Sequence, residues 1–337
     1  MNVLVIGGTR FVGYQLVWRL LAAGHSVTIL NRGRSQNPFG DRVRHLIADR
    51  TNLQDFSSAL KNLAFDAVVD FVAYAGADAR QILDVFARGH AGHYIFISTG
   101  QVYLVRENCP RPARESDYAG AVMPEPSNPD DREEWLYGVR KRETEDILAE
   151  AWNSSHFPAT RLRIPMVNGE RDYFRRMESY LWRILDGGPI LLPKEDSRPT
   201  RHVYGFAVAR AIADILGKEK TFGEAYNLCQ DETPTVAQLV MLLARLVGAP
   251  ARIRLIPSRI LSEAGLEPSK ISPFNTPWMS FIDPAKAKTE LNFRNEPLEI
   301  YLDKIVTSFL NHPPAAPPEN YSFRSRELTL AADHKSP

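Results

Sequence analysis

The opening of the chain constrains its fold more than any other stretch. Asn2–Ile6 reads NVLVI, and 7–13 then reads GGTRFVG before Leu16, Val17, Leu20 and Leu21 recur at helical spacing. A short continuous apolar run suits a strand buried on both faces, as in a parallel sheet. Gly24 suits the C-terminal cap of the helix, because glycine enters the left-handed region without a Cβ clash. Val27–Leu30 (VTIL) returns as a second strand. Further strands are expected at Val43–Ala48, Ala67–Val72 and Tyr94–Ser98, with helices at Leu53–Leu63 and Asp78–Ala87. Such alternation specifies an α/β fold, a parallel sheet covered by helices on both faces.

The glycine turn carries chemistry as well as topology. Between a strand and a helix, glycines let the backbone approach a pyrophosphate while the helix N-terminus offers free N–H groups to the anion. Gly7 and Gly13 hold the outer positions; Arg10 replaces the usual middle glycine, and Gly8 stands two residues earlier. A carboxylate at the end of the second strand would bind the ribose 2′-hydroxyl of NAD. The chain has Asn31, Arg32, Gly33 and Arg34 there. Arg10, Arg32 and Arg34 instead suit a 2′-phosphate, which favours NADP over NAD. Asp49, followed by Arg50, could accept from the adenine amino group.

Composition narrows the class. The 337 residues carry a formal net charge of +1, no electrostatic footprint for nucleic acid or a membrane surface. Hydrophobic residues make up 44% and charged residues 24%, the balance of a globular chain. Cys109 and Cys229 are too few for a disulfide framework, and no Cys/His cluster has zinc spacing, so no metal is expected. No leader pattern and no apolar run of transmembrane length is present. The expectation is a cytoplasmic protein acting on a small molecule.

Past the fifth strand the rhythm breaks. The stretch 104–130 holds Pro110, Pro112, Pro124, Pro126 and Pro129, and a loop of this length in a compact domain is usually functional, often a lid. A long helix is expected over Asp131–Ala151 and a strand over Thr160–Ile164. Helices follow near 172–186, 205–216, 235–247 and 296–311, with Thr235 placed as an N-cap. The organisation expected is a dinucleotide-binding domain over 1–165 with return segments near 200–230, a mainly substrate-binding lobe over 166–312, and a proline-rich extended tail over 313–337.

Tyr137 to Lys141 reads YGVRK, and residues four apart share a helix face. An ammonium beside a phenol favours the phenolate, lowering a pKa that is about 10 in isolation. Such a phenolate can take the proton of an alcohol while hydride leaves its carbon, and Lys141 can also hold the nicotinamide ribose. Ser98 and Thr99, closing the fifth strand, offer hydroxyls to hold the substrate oxygen.

With GGTRFVG (7–13), STGQVY (98–103), YGVRK (137–141) and LRIPMVNG (162–169) in order, the chain resembles the extended short-chain dehydrogenase/reductase family, in its NAD-dependent epimerase/dehydratase group. The resemblance covers about 1–312 and implies a Rossmann doubly wound parallel sheet with a smaller C-terminal α/β substrate lobe. It implies Thr99, Tyr137 and Lys141 as the catalytic set. It implies cofactor contact from Gly7, Thr9, Arg10, Phe11, Val12 and Gly13, from Asn31, Arg32, Arg34, Asp49 and Arg50, and from Val72, Ala73, Ser98, Lys141, Ile164 and Met166. A homodimer is a family-level expectation.

The departures from the family pattern are informative. Gly100 and Gln101 stand where the dehydratase branch carries an Asp-Glu pair, which disfavours dehydration. Met166 stands where sugar-nucleotide members often have Asn, and Gly205 replaces an Asp after His202-Val203. The GGTRF turn is similar to that of a subgroup including chloroplast stem-loop-binding proteins. Gln101, Arg171, Arg175 and His202 are candidate substrate contacts; Arg176 is a further candidate for phosphate. Trp135 and Trp182 read as packing residues. Three functions follow: a nucleotide-sugar-type epimerase, an NADPH-dependent carbonyl reductase or dehydrogenase of a small metabolite, and an RNA-binding or scaffold role on the retained fold.

Overall fold

A computed structural model describes residues 1–86, 89–194 and 197–334. In chain order the first elements are β1 (Asn2–Ile6), α1 (Phe11–Ala22), β2 (Ser26–Asn31), β3 (Arg44–Ile47), α2 (Leu53–Leu60), β4 (Ala67–Asp70), α3 (Gly76–Phe86), β5 (Tyr94–Thr99), α4 (Gln101–Leu104), α5 (Pro129–Ser155) and β6 (Ala159–Ile164). Then come β7 (Met166–Asn168), α6 (Arg176–Leu185), β8 (Pro189–Pro193), β9 (His202–Tyr204), α7 (Gly205–Ile215), β10 (Ala225–Asn227), α8 (Val236–Val247) and β11 (Arg252–Ile256). The chain continues with α9 (Ser258–Glu263), α10 (Pro268–Ile271), α11 (Ala285–Leu291), α12 (Leu298–Asn311) and α13 (Arg324–Asp333). The helix expected over Asp78–Ala87 is seen to Phe86; Ala87 lies outside the described residues.

The described chain divides into two compact units. The first comprises Met1–Pro165, Gly205–Cys229 and Ser280–Asn295; the second comprises Met166–Tyr204, Gln230–Met279 and Glu296–Pro337.

The first unit holds a seven-stranded sheet in the order β10-β6-β5-β4-β1-β2-β3, with every pairing parallel. This is the doubly wound Rossmann sheet expected from the alternation of strands and helices. The order turns back between β1 and β4, and there the carboxyl ends of the strands open a crevice for ligands. One core cluster, including Leu4, Ile6, Phe56, Val68, Ile82, Tyr94 and Phe96, fills one face of the sheet. Helix α5 starts where Asn128 accepts from the N–H groups of Asp130 and Asp131 and Pro129 fixes the first turn.

The stretch 104–130 is not a free lid. Arg142 donates to the carbonyls of Val102 (2.8 Å) and Tyr118 (2.9 Å), fastening the segment to α5. Ala113 exchanges backbone bonds with Phe281 (2.8 Å) and Asp283 (2.9 Å), and Glu115 accepts from the Asn227 N–H at 2.7 Å. Its prolines break regular structure, but these bonds tie it to the unit.

In the second unit β7 pairs with β9 and β8 with β11, both in parallel. Thr235 caps α8 through a capping box with Gln238, as its sequence position suggested. The tail requires a correction. Residues 324–333 form a helix instead of an extended strap. The buried guanidinium of Arg183 forks onto Glu327 (2.5 Å), and Arg324 joins Glu327 (3.0 Å) and Asp186 (2.5 Å). The prolines at 313–318 follow the end of α12; of the charges beyond them, Glu327 binds the buried Arg183 and Arg324 binds Asp186. The last three residues of the tail, 335–337, lie outside the described residues. Among the described residues no helix is long and apolar enough to cross a membrane, and no group of His, Cys, Asp and Glu is placed to hold a metal.

Candidate functional site

The glycine turn leaves β1 as a cradle. Gly7 has φ +88°, a left-handed conformation that favours glycine. A Cβ on Gly13 would stand 2.7 Å from the Gly7 carbonyl oxygen and 2.9 Å from Gly8 Cα, so the turn closes on itself without room for a side chain. Gly8 is equally tight against Val5 (2.9 Å) and Val17 (3.1 Å), which seats α1 on the sheet. The helix begins at Phe11 with no side-chain cap and no acid in its first turn. No acid in the first turn of α1 therefore competes with an anionic ligand at its N-terminus. A dinucleotide pyrophosphate fits this cradle. Thr9, Phe11 and Val12 are largely buried within it, and Arg10 projects outward.

At the end of β2, Asn31 turns its carboxamide inward. Its Oδ1 accepts from the Gly33 N–H at 2.8 Å and lies 3.2 Å from His45 Nε2, so it shapes the turn. Arg32 and Arg34 are exposed, and Arg10 Nε donates to Ser35 Oγ at 3.2 Å. Asp49 Oδ1 accepts from the N–H (3.0 Å) and the hydroxyl (2.8 Å) of Thr51. These bonds hold its carboxyl below the ordinary value, with smaller help from Arg32 and Arg34. Three cations thus gather with one carboxylate at this edge.

Arg50 does not offer its guanidinium to a ligand. It is buried, bonded to Asp70, and donates to Asp78 Oδ1 at 3.2 Å. Tyr94 Oη donates to the same Asp70 at 2.9 Å. Only the backbone of Arg50 remains for a cofactor contact, because two acids pin its head. Asp78 in turn accepts from the N–H groups of Tyr74 (2.7 Å) and Ala75 (3.0 Å), fixing the turn after Val72 and Ala73. Val72 closes over the cradle, its Cγ1 standing 2.8 Å from where a Cβ on Gly7 would be.

Lys141 is buried, its ammonium donating to the carbonyls of Ala73 (2.7 Å), in the turn after β4, and Ile97 (2.9 Å), within β5. Burial pushes its pKa down to about 8, although Asp70 opposes the shift. The rings of Phe96, Tyr74 and Tyr137 stand 4.7, 5.0 and 5.8 Å from the ammonium, centroid to Nζ. Tyr137, one turn earlier on α5, is half-buried. Gly138 allows this approach: a Cβ there would meet Val105 at 2.6 Å and the Gln101 carbonyl at 2.9 Å, so α5 lies directly on α4.

The two candidate hydroxyls separate cleanly. Ser98 Oγ donates to Glu145, a buried carboxylate that Arg163 grips through Nε and Nη2. Thr99 Oγ1 instead accepts from the Gln101 N–H at 3.2 Å, at the carboxyl end of β5 where α4 begins. The Ser98 hydroxyl proton is thus spent on Glu145, whereas Thr99 spends an acceptor site on a backbone N–H. The Ile164 carbonyl likewise accepts from the Gly100 N–H at 2.8 Å. Gln101 Nε2 donates to Glu134, which precedes Tyr137 by three positions on the helix.

In the second unit, Met166 is half-buried and Arg171 is exposed with φ +71°. Arg175 pairs with Glu178 (2.6 Å) and donates to the Ala316 carbonyl (2.6 Å), so little of its charge is left for a substrate. Arg176 is held by Asp172 at 3.4 Å. His202 is wholly buried, hydrogen-bonded through Nδ1 to Tyr301 Oη at 2.7 Å. Burial, assisted by Arg201, pushes its imidazole down to about 4. It is a neutral packing histidine and not a cleft residue.

Sequence reasoning missed Asp70, Asp78, Glu145 and Arg163, the charges that organise the site from behind. A faint signal existed. Lys141, Glu145 and Leu148 follow helical spacing on one face of α5, so two charges share a stripe with a core leucine. Tyr74, half-exposed over Lys141, had no signal at all.

The chain belongs to the NAD dependent epimerase/dehydratase family, whose sequence profile matches residues 3–229. It is 28% identical over 262 residues to the chloroplast stem-loop binding protein of 41 kDa b of Arabidopsis thaliana, covering 74% of this chain and 64% of that protein. The match therefore spans less than two thirds of that relative's length. It is 23% identical over 267 residues to 2'-dehydrokanamycin reductase of Streptomyces kanamyceticus, covering 78% of this chain and 71% of that enzyme. Among solved structures, the UDP-glucose 4-epimerase of Thermotoga maritima has a TM-score of 0.71 at 19% identity, over 92% of this chain and 99% of that one. An epimerase of Methanothermobacter thermautotrophicus has a TM-score of 0.73 at 16% identity, over 92% of each chain. At these identities the structural likeness concerns the fold.

Proposed function

We propose that this chain catalyses NAD(P)-dependent hydride transfer at a hydroxyl-bearing carbon, in the manner of a nucleotide-sugar-type epimerase. The observation that carries this reading is the Lys141 ammonium, buried and held by the carbonyls of Ala73 and Ile97, four residues beyond Tyr137. With a dinucleotide held by its pyrophosphate in the glycine cradle, its nicotinamide would supply the acceptor and donor of hydride. Lys141 stabilises the Tyr137 phenolate by charge. Tyr137 takes the proton from the substrate hydroxyl, and Thr99 Oγ donates to the oxygen left behind. Run in reverse, Tyr137 returns the proton. Gln101, at the start of α4, is a further substrate contact in this reading.

The cluster of Arg10, Arg32 and Arg34, with no acid at the end of β2, supports NADP over NAD. It also favours a second reading, a reductase that uses dissociable NADPH on a carbonyl, and the similarity to a reductase supports this. A homodimer in the cytoplasm belongs to the same proposal. The test is a fluorescence titration of nucleotide-stripped protein with NADPH and NADH side by side. Saturable binding of either supports hydride chemistry, and tight retention of the nucleotide through purification supports the epimerase over the reductase. Folded protein that binds neither overturns both and brings forward an RNA-binding role, which a stem-loop RNA titration would then detect.

A further inference from the structure

Lys141 reaches its carbonyls through a ring of aromatic faces, and one of those faces is out of place. Phe96 is fully buried and belongs to the core, but Tyr74 keeps half its surface in solvent while its ring stands 5.0 Å from the ammonium. A large aromatic residue left half-exposed is explained when one side of it covers something that must stay dry. Lys141 is only 2% exposed. The cover is also anchored: Asp78 Oδ2 accepts from the N–H groups of Tyr74 and Ala75 at 2.7 and 3.0 Å, and Arg50 fixes Asp78.

We propose that Tyr74 is a positioning residue, the cover that keeps water from the Lys141 ammonium so that its remaining N–H is reserved for the dinucleotide. The inference rests on the reading above, that a nicotinamide dinucleotide binds beside Lys141. Two of the three ammonium N–H groups go to Ala73 and Ile97. Water would otherwise compete for the third. The ionisable groups around the ammonium are Asp70 from β4, Arg50 from the loop after β3, Asp78 from α3, Glu145 from α5, and the phenols of Tyr74 and Tyr137. Two effects of the Tyr74 ring on the lysine oppose each other. Its π-face favours the cation, whereas the exclusion of water disfavours it. Burial is the largest influence on this group, and Tyr74 is the half-exposed part of the wall that buries it, so exclusion is expected to outweigh the π-face.

The test is NADH or NADPH affinity of the full chain between pH 6 and 10. The wild type should lose affinity as pH rises through about 8, where the ammonium deprotonates. Lys141→Met should bind weakly and show no such midpoint. In Tyr74→Ala, water reaches the amine and the midpoint should rise by about one pH unit or more. In Tyr74→Leu, which remains apolar without a π-face, it should stay at or below the wild-type midpoint. In Tyr74→Phe it should not move. An unchanged midpoint in folded Tyr74→Ala, or a raised one in Tyr74→Leu, overturns the inference, and the second criterion holds even if Tyr74→Ala fails to fold. A wild type without a midpoint in this range also overturns it. A wild type that binds neither nucleotide at any pH overturns the functional reading itself.

Discussion

Arg163 grips Glu145 at 2.6 Å inside the first unit, with both side chains almost wholly removed from water. The pair lies behind the catalytic candidates, not among them. It takes up the Ser98 hydroxyl, and it draws Tyr103 Oη to Arg163 Nη1 at 2.6 Å. Breaking such a pair leaves one buried charge uncompensated. Glu145→Ala should therefore cost about 3–5 kcal/mol of stability, and replacing both partners by apolar residues should cost less. Urea denaturation of the single and double variants checks this.

The division of labour between neighbouring hydroxyls predicts opposite signatures. Thr99→Ala should lower turnover by about a hundredfold or more with stability nearly unchanged, if its hydroxyl holds the reacting oxygen. Ser98→Ala should do the reverse, lowering stability by about 1–3 kcal/mol because a buried carboxylate loses a donor. Tyr137→Phe should abolish turnover and leave cofactor affinity within about tenfold. Turnover and thermal melts on the three variants separate these roles; full activity in Tyr137→Phe would remove the phenol from the mechanism.

Nucleotide preference should be reversible at the β2 edge. Arg34→Ala and Arg10→Ala should each weaken NADPH more than NADH, by about tenfold, through loss of a charge-assisted bond to phosphate. Paired titrations decide it. Equal losses for both nucleotides would detach these arginines from the 2′-position.

Acid should destabilise the fold below neutrality through two histidines. Burial holds both His93 and His202 at about 4. Unfolded, each would titrate near 6.5. Between these values the unfolded chain binds protons that the folded one refuses, so stability is full above about 6.5 and falls as pH drops toward 4. The loss amounts to about 3 kcal/mol per histidine at the lower end. Replacing His202 by a neutral residue of similar size should flatten the stability profile over that interval, as measured by chemical denaturation from pH 7.5 to 4.

The C-terminal helix should be indispensable to the second unit. Truncation after His312 strips Glu327 from the buried Arg183, and Glu327→Ala alone should cost about 3–5 kcal/mol. A truncated chain that melts at the same temperature as the whole would refute the anchoring role.

Local periodicity made the sheet legible. NVLVI, VTIL and YIFIS are strands because continuous apolar runs have no other home, and the glycine turn located the crevice beside β1. That Tyr137 and Lys141 share one face of α5 was legible from their spacing. Contacts between distant residues were not. Nothing in the chain announces that Ser98 will be claimed by Glu145, that Arg50 will be taken by Asp70 and Asp78, or that Glu327 will reach Arg183. Proline content misrepresented both 104–130 and the tail. Proline reports where helices and ladders stop, but says nothing of how firmly an irregular segment is tied down by arginines elsewhere.

The first unit is assembled from three separated stretches, and this has a consequence during translation. While the ribosome has released only the first 165 residues, β6 is a bare sheet edge, since its partner β10 comes from 225–227. Ala113 and Glu115 then also wait for partners at 227 and 281–283. The nascent chain thus carries an open strand edge over some sixty further codons, a period in which a chaperone or a neighbouring chain can pair with it first.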